Sequence, residues 1–268
     1  MTEGLPARDG NRRRVVVLGG SGLLGARAAD AIAARGHEVV RVSRSTGVDA
    51  VTGTGLAEAF AGADTVVDCL NITTTRRRPA VDFFTTSATH VADAARAAGV
   101  GHVVCLSIVN VTEPGLRSAL GYYAGKAAQD DVYRGRLLDG PARVGFTSLR
   151  STQWFDFAEQ LLRQLRLGPL AVVPAMRVQP VSADAVAEAI ADAVDAGPEG
   201  AARTIDVAGP EVLDTGTMAR RLAERRGTPA VATVPIPSRT LRTGGLLPPP
   251  GARIDPRTFD DWLAEQRS

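Results

Sequence analysis

A short apolar run, Val15-Val16-Val17-Leu18, passes directly into Gly19-Gly20-Ser21-Gly22-Leu23-Leu24-Gly25, and helical patterning begins at Leu23. Few folds accommodate that junction. An uninterrupted apolar run reads as a strand buried on both faces, as in a parallel sheet covered by helices. Glycines at 19, 22 and 25 omit Cβ atoms where the chain turns sharply and where a helix must press against a strand. The first N–H groups of the helix, with its dipole, then make a site for an anion such as a pyrophosphate. Gly19, Ser21, Gly22, Leu23, Leu24 and Gly25 are therefore candidates to hold a dinucleotide.

The rest of the first 150 residues repeats the alternation of strand and helix. Further strands are predicted at Val39 to Val42, near Val48 to Val51, at Thr65 to Leu70, at His102 to Leu106 and at Phe146 to Leu149. Helices are predicted from Leu23 to Arg35, Leu56 to Phe60, Val81 to Ala98 and Leu120 to Leu138, with Gly36 and Gly99 as stops. After Arg150 the pattern loosens. An amphipathic helix runs from Trp154 to Leu167, and short strands fall at Leu170 to Val173 and Val178 to Val181. Ser182 caps a helix reaching Val194, followed by a strand from Arg203 to Val207 and a helix from Met218 to Arg226. A Pro-rich stretch, Pro235 to Pro256, precedes a last helix with Phe259, Trp262 and Leu263; its Ile236, Leu241, Leu246 and Leu247 suit a loop packed on the body.

These elements predict an α/β fold, a Rossmann-type doubly wound parallel sheet with a smaller C-terminal subdomain on the substrate side. Residues 1–12 are a disordered tail, 13–150 the dinucleotide-binding core with 176–208 returning to it, and 151–175 and 209–268 the subdomain. The net charge of +2 gives no reason to expect a nucleic-acid or membrane partner. The polar start of the chain has no apolar segment of a leader or membrane span, which suits a cytoplasmic protein. Cys69 and Cys105, each in an apolar run, read as structural, and no spacing suggests a metal site.

Some twenty residues past the glycine turn, an NAD site carries an acid for the ribose diol. Here that place reads Arg41-Val42-Ser43-Arg44. An arginine accepts a 2′-phosphate that a carboxylate would repel, which favours NADP(H). Arg44 is the first choice for that contact and Ser43 the second, with Arg41 free to point elsewhere. Asp49 suits either the adenine amino group or a turn.

Among 31 Lys and Arg residues Lys126 is the only lysine, and it stands four residues after Tyr122. By spacing alone this is either helix-surface pairing or a working pair. Ser107 closes the strand before it, at the end where open α/β sheets place their ligands. With the glycine turn, these residues resemble the short-chain dehydrogenase/reductase superfamily and its Ser, Tyr-x-x-x-Lys pattern. The resemblance is nearer to the atypical, NmrA-like branch, through Val66-Val67-Asp68-Cys69-Leu70-Asn71, Leu106-Ser107-Ile108-Val109, Leu149 to Phe155 and Val178 to Ala187. It covers about residues 14 to 227.

That resemblance implies hydride transfer between nicotinamide and a small carbonyl or alcohol. Tyr122 is then the general acid/base, Lys126 lowers its pKa and holds the nicotinamide ribose, and Ser107 orients the carbonyl. Ser118 is the competing hydroxyl, and Tyr123 is a phenol at the wrong offset from Lys126. Asn71 is placed near the cofactor. Gln153, Trp154 and Phe155 either line a substrate pocket or belong to the core. Arg76, Arg77 and Arg78 read as a solvated loop before they read as an anion site. The same scaffold also serves redox-neutral epimerases, dehydratases and cyclases, and cofactor-sensing regulators; the intact Tyr122/Lys126 pair argues against a regulator. Oligomeric state stays open, with a homodimer allowed.

Overall fold

The computed structural model describes residues 12–139, 143–227, 230–236 and 238–266; the N-terminal tail expected over residues 1–12 otherwise lies outside them. In chain order the elements are β1 (Arg14–Leu18), α1 (Leu23–Ala34), β2 (Glu38–Val42), α2 (Leu56–Phe60), β3 (Thr65–Asp68), α3 (Arg77–Ala97), β4 (His102–Ile108), α4 (Pro114–Ala119), α5 (Gly121–Leu138) and β5 (Gly145–Ser151). Then come α6 (Phe157–Gln164), β6 (Arg166–Leu167), β7 (Leu170–Ala175), β8 (Arg177–Val178), α7 (Ala183–Ala196) and β9 (Ala202–Ala208). Last are β10 (Leu213–Asp214), α8 (Thr215–Arg226), β11 (Ala230–Pro235), α9 (Arg239–Arg242), β12 (Arg253–Ile254) and α10 (Phe259–Glu265).

A seven-stranded sheet runs β12-β9-β5-β4-β3-β1-β2, parallel throughout. Its central strands are apolar on both faces because both faces are covered. Val15 and Val17 pack with Ile32 of α1 and Val186 and Ile190 of α7. Val16 and Leu18 pack on the other face with Phe60, Tyr133 and Phe146. Chain order reverses between β1 and β3, so the crevice opens at the carboxyl ends of those strands.

A second core lies against β7, α6, α8 and α10, where Phe155, Phe259 and Trp262 meet. Smaller sheets β11-β7-β6 and β10-β8 border it. Ser182 accepts from Ala185 N at 3.0 Å as the cap of α7.

Four expectations change, the first being the helix over Trp154 to Leu167, which is confined to Phe157–Gln164 and gives way to the short strand Arg166–Leu167. The strand near Val48 to Val51 is a chain of turns closed by an isolated Asp49–Thr54 bridge, with Gly47, Gly53 and Gly55 all at positive φ. Helix α3 begins four residues earlier than predicted, because Pro79 falls in its first turn, where a missing N–H costs nothing. Residues 253–254, grouped by sequence with the C-terminal subdomain, instead extend the main sheet beside β9.

His102 opens β4 fully enclosed, with Nε2 2.9 Å from Thr147 Oγ1. Burial, helped by the charges of Arg13 and Arg203, pushes its pKa down to about 4 from 6.5. The unfolded chain therefore takes up a proton that the folded one refuses, and stability is lost as pH falls from 6.5 towards 4. The shift corresponds to about 3 kcal/mol at the acid end. His102→Gln is expected to flatten that segment of the stability curve. Urea unfolding at neutral and mildly acid pH checks this, and equal pH slopes in both proteins would acquit His102.

Candidate active site

The glycine turn is tight enough to explain each of its small residues. Gly19 has φ +72°, and a Cβ there would stand 2.9 Å from Cys69 O, across the crevice on the segment after β3. A Cβ on Gly25 would lie 2.1 Å from Gly19 O, so only glycine lets α1 start against the strand end. Gly22 is the N-cap of α1 with no side-chain cap and no acid in the first turn. The opening N–H groups of this helix are left for an anion. Leu24 turns into the core, whereas Ser21 and Leu23 are exposed. These features fit a bound dinucleotide pyrophosphate.

Beyond β2, Arg41 pairs with Asp30 and turns back over α1. Arg44, in a single 3-10 turn over Arg44–Thr46, is exposed and makes no ion pair with the described residues. Ser43 Oγ lies 2.7 Å from Ser45 Oγ. Asp49 Oδ1 accepts from Val51 N at 2.8 Å, the turn role of its two readings. Asn71 is exposed past β3 and accepts from Ile72 N at 2.9 Å.

Helix α5 comes close to α3 because Gly121 and Gly125 face it. A Cβ at Gly125 would meet Phe84 Cδ2 at 2.7 Å and Ala80 O at 2.9 Å. The approach carries Lys126 inside. Its ammonium is buried, donating to Leu106 O at 2.9 Å, Gln129 Oε1 at 3.0 Å and Leu70 O at 3.4 Å, with the Phe84 ring centroid 4.3 Å away. Tyr122, one helical turn earlier, sets its ring edge-on to Phe84 at 5.8 Å. Ser107, near the end of β4, has a buried Oγ without a hydrogen-bond partner among the described residues. A buried hydroxyl left so costs about 1–3 kcal/mol, which a ligand oxygen would recover.

The electrostatics correct one expectation. Burial raises the Tyr122 phenol, and although the Lys126 charge pulls the other way, burial wins. Burial also pushes the Cys69 thiol up to about 12.

The competing groups separate by position. Ser118 is exposed on α4, and Tyr123 is buried in the second core. Arg77 donates to Arg117 O at 2.6 Å and Arg78 faces Asp82 at 3.7 Å, an ordinary solvated arrangement. Gln153 is half-buried with Oε1 unpartnered among the described residues, and Trp154 Nε1 donates to Ser151 Oγ at 3.0 Å. Phe155 is not at a pocket surface: it is fully buried, 5.6 Å from Phe259 and 6.0 Å from Trp262 between ring centroids. No group of ligands that could hold a metal occurs among the described residues, and no described helix is long and apolar enough to cross a membrane.

Sequence reasoning missed Asp68 and Gln129, which are wired to Lys126, and Asn110. Asn110 is the one non-glycine residue at positive φ among those described, and its Nδ2 donates to Gly245 O at 2.9 Å and Leu247 O at 2.6 Å. An acid inside the run Val66-Val67-Asp68-Cys69 was the available signal.

Fold and crevice together are those of a Rossmann-type α/β protein, with a parallel sheet covered by helices on both faces and a glycine turn at its strand ends. Residues 15–117 match the model of the NAD dependent epimerase/dehydratase family. MoeE5 in complex with UDP-glucose and NAD superposes with a TM-score of 0.70 at 18% identity, over 94% of this chain and 92% of that one. A short-chain dehydrogenase/reductase superfamily protein from Agrobacterium tumefaciens with bound NAD gives 0.67 at 18%, over 94% and 95%. dTDP-4-dehydrorhamnose reductase from Bacillus anthracis in complex with NADP gives 0.65 at 14%, over 96% and 94%. No curated protein matches by sequence.

Phe155→Ala is expected to cost about 3–5 kcal/mol of stability as a core truncation. Chemical denaturation measures it, and a loss below about 1 kcal/mol would return Phe155 to the pocket wall.

Proposed function

We propose that the protein is an NADP-dependent oxidoreductase, an atypical, NmrA-like short-chain dehydrogenase/reductase acting on a small carbonyl or alcohol. One observation carries this reading. The only lysine of the chain is buried one helical turn after Tyr122, at the strand ends where the Ser107 hydroxyl has no hydrogen-bond partner among the described residues. Lysine presents a compact ammonium on a flexible stem, which the arginine used everywhere else in this chain does not.

When bound, NADP(H) would supply hydride-transfer chemistry. Gly19 to Gly25, with Ser21 in the turn and Leu23 and Leu24 in the first turn of α1, would hold the pyrophosphate, and Arg44 with Ser43 would receive the 2′-phosphate. Asn71 and Lys126 would hold the nicotinamide ribose, and Asp49, which keeps its turn, would stand at the adenine end. Ser107 orients the substrate oxygen. Tyr122 donates a proton to that oxygen as it gains charge, or removes one in the opposite direction. Gln153 and Trp154 border the substrate. The protein would work in the cytoplasm on a small molecule, without nucleic acid or membrane, and a homodimer is compatible with this role.

Tyr122→Phe is expected to lower turnover by about 10²–10⁴-fold. Because the phenol is raised, carbonyl reduction should persist into alkaline pH while alcohol oxidation keeps gaining with pH. Normal turnover by the phenylalanine variant would end the assignment. Arg44→Ala should abolish a preference for NADPH over NADH in fluorescence titrations; equal affinities in the unaltered protein would remove the 2′-phosphate contact.

The family description favours a second reading, a redox-neutral epimerase or dehydratase. Incubating candidate substrates with the enzyme and cofactor, while following nicotinamide absorbance and product together, separates the two. Product formed at constant absorbance supports the second reading.

A further inference from the structure

An ammonium has three N–H bonds, and all three of Lys126 are committed, to Leu106 O, Gln129 Oε1 and Leu70 O. Two of these acceptors are backbone. The third is an amide side chain, whose donor and acceptor ends have nearly the same shape. Turned the other way, Gln129 would aim an N–H at the ammonium. Asp68 prevents that, because Gln129 Nε2 donates to Asp68 Oδ2 at 2.8 Å. Tyr133 OH donates to the same oxygen at 2.6 Å, and Leu70 N to Oδ1 at 2.8 Å. Three donors converge on one side chain, and only a carboxylate accepts from all of them.

Asp68, Gln129 and Tyr133 are fully buried, and Lys126 nearly so. An isolated charge there would be costly, whereas Asp68 and Lys126 share one amide and leave the interior without net charge. The remaining groups around the ammonium do not replace Asp68. Phe84 of α3 offers a ring face, Tyr122 lies on the same helix, and the thiols of Cys69 and Cys105 are held protonated by burial. Asp130 on α5 is engaged by Arg134 at 2.6 Å and Arg150 at 3.7 Å.

We propose that Asp68 and Gln129 are positioning residues: the Asp68 carboxylate sets the Gln129 amide so that its oxygen holds the Lys126 ammonium between the ends of β3 and β4. The long contact to Leu70 O is the one a cofactor hydroxyl would replace. The use made of Lys126 rests on the proposed function; the cage around it does not. The assignment explains why an acid stands inside the apolar run of β3 and why a polar amide is buried on α5.

The test uses the single lysine. Protein grown with ¹⁵N-lysine carries one side-chain ammonium, so its NMR signal reports this cage without ambiguity. In the full chain the signal is expected to be protected from exchange near neutral pH. In Asp68→Asn the new amide confronts a donor, whichever way it turns, and the protected signal should disappear. Gln129→Met removes the bridge while leaving Asp68 its contacts with Tyr133 and Leu70, and it should have the same effect should the Asp68 variant not fold. NADPH affinity, read by fluorescence, should fall by about tenfold in both, as for loss of one charge-assisted hydrogen bond. A protected signal in both variants overturns the cage, and a lost signal with unchanged affinity overturns its positioning role. Neither readout needs a substrate, so an enzyme without redox turnover would defeat the reductase reading and leave this one standing.

Discussion

The enclosed ammonium of Lys126 is the joint on which the crevice depends. A charge held away from water must be solvated by oriented dipoles, and the carboxyl ends of parallel strands supply outward-facing carbonyls. Leu106 O and Leu70 O are two such groups, one from β4 and one just past β3. Serving both, Lys126 ties the two strand ends to α5. That contact requires α5 to lie low on the sheet, and Gly121 and Gly125 remove the side chains that would lift it off α3. The same packing brings the Phe84 ring under both the ammonium and Tyr122.

Elsewhere, charge has a different job. Arg35 gathers Glu188, Asp192 and Asp195, and Arg253 joins at Asp192, so that α1, α7 and β12 are linked at the surface. These are partly solvated pairs, of modest value individually. Arginine is well suited to them because its fork engages several carboxylates at once. The one position where a fork would be too broad is the enclosed one, and there the chain uses lysine.

How much of this was legible depended on how local its cause was. The strand and glycine turn at 15–25 read correctly because steric rules within a few residues determine them, and the cap at Ser182 likewise. Val48 to Val51 misled because Val48 and Ala50 are buried and apolar, yet Gly47, Gly53 and Gly55 bend the chain on either side. Phe155 was ambiguous because its partners, Phe259 and Trp262, come more than 100 residues later. The Tyr122 phenol shows the same limit. The opposing lysine was visible in the spacing, but the burial that outweighs it comes from packing. Asp68 was visible as an oddity, but its meaning lies in Gln129 and Tyr133, on a helix about sixty residues away.

The tether at Asn110 has a consequence for the order in which the site can be made. Asn110 stands three residues after Ser107, and its amide closes on carbonyls at 245 and 247. The outer edge of the main sheet likewise waits for Arg253 and Ile254 to dock on β9. During synthesis the strands β1 to β5 emerge first, and one face of their sheet has its own core, whereas the other is completed by α7. The loop behind the serine is held early by Val109 N on Ser151 O, but its Asn110 amide has no carbonyls to close on until residues 245 and 247 are made. The loop after β4 is thereby completed by carbonyls made some 135 residues downstream of it, later than the strands it leaves.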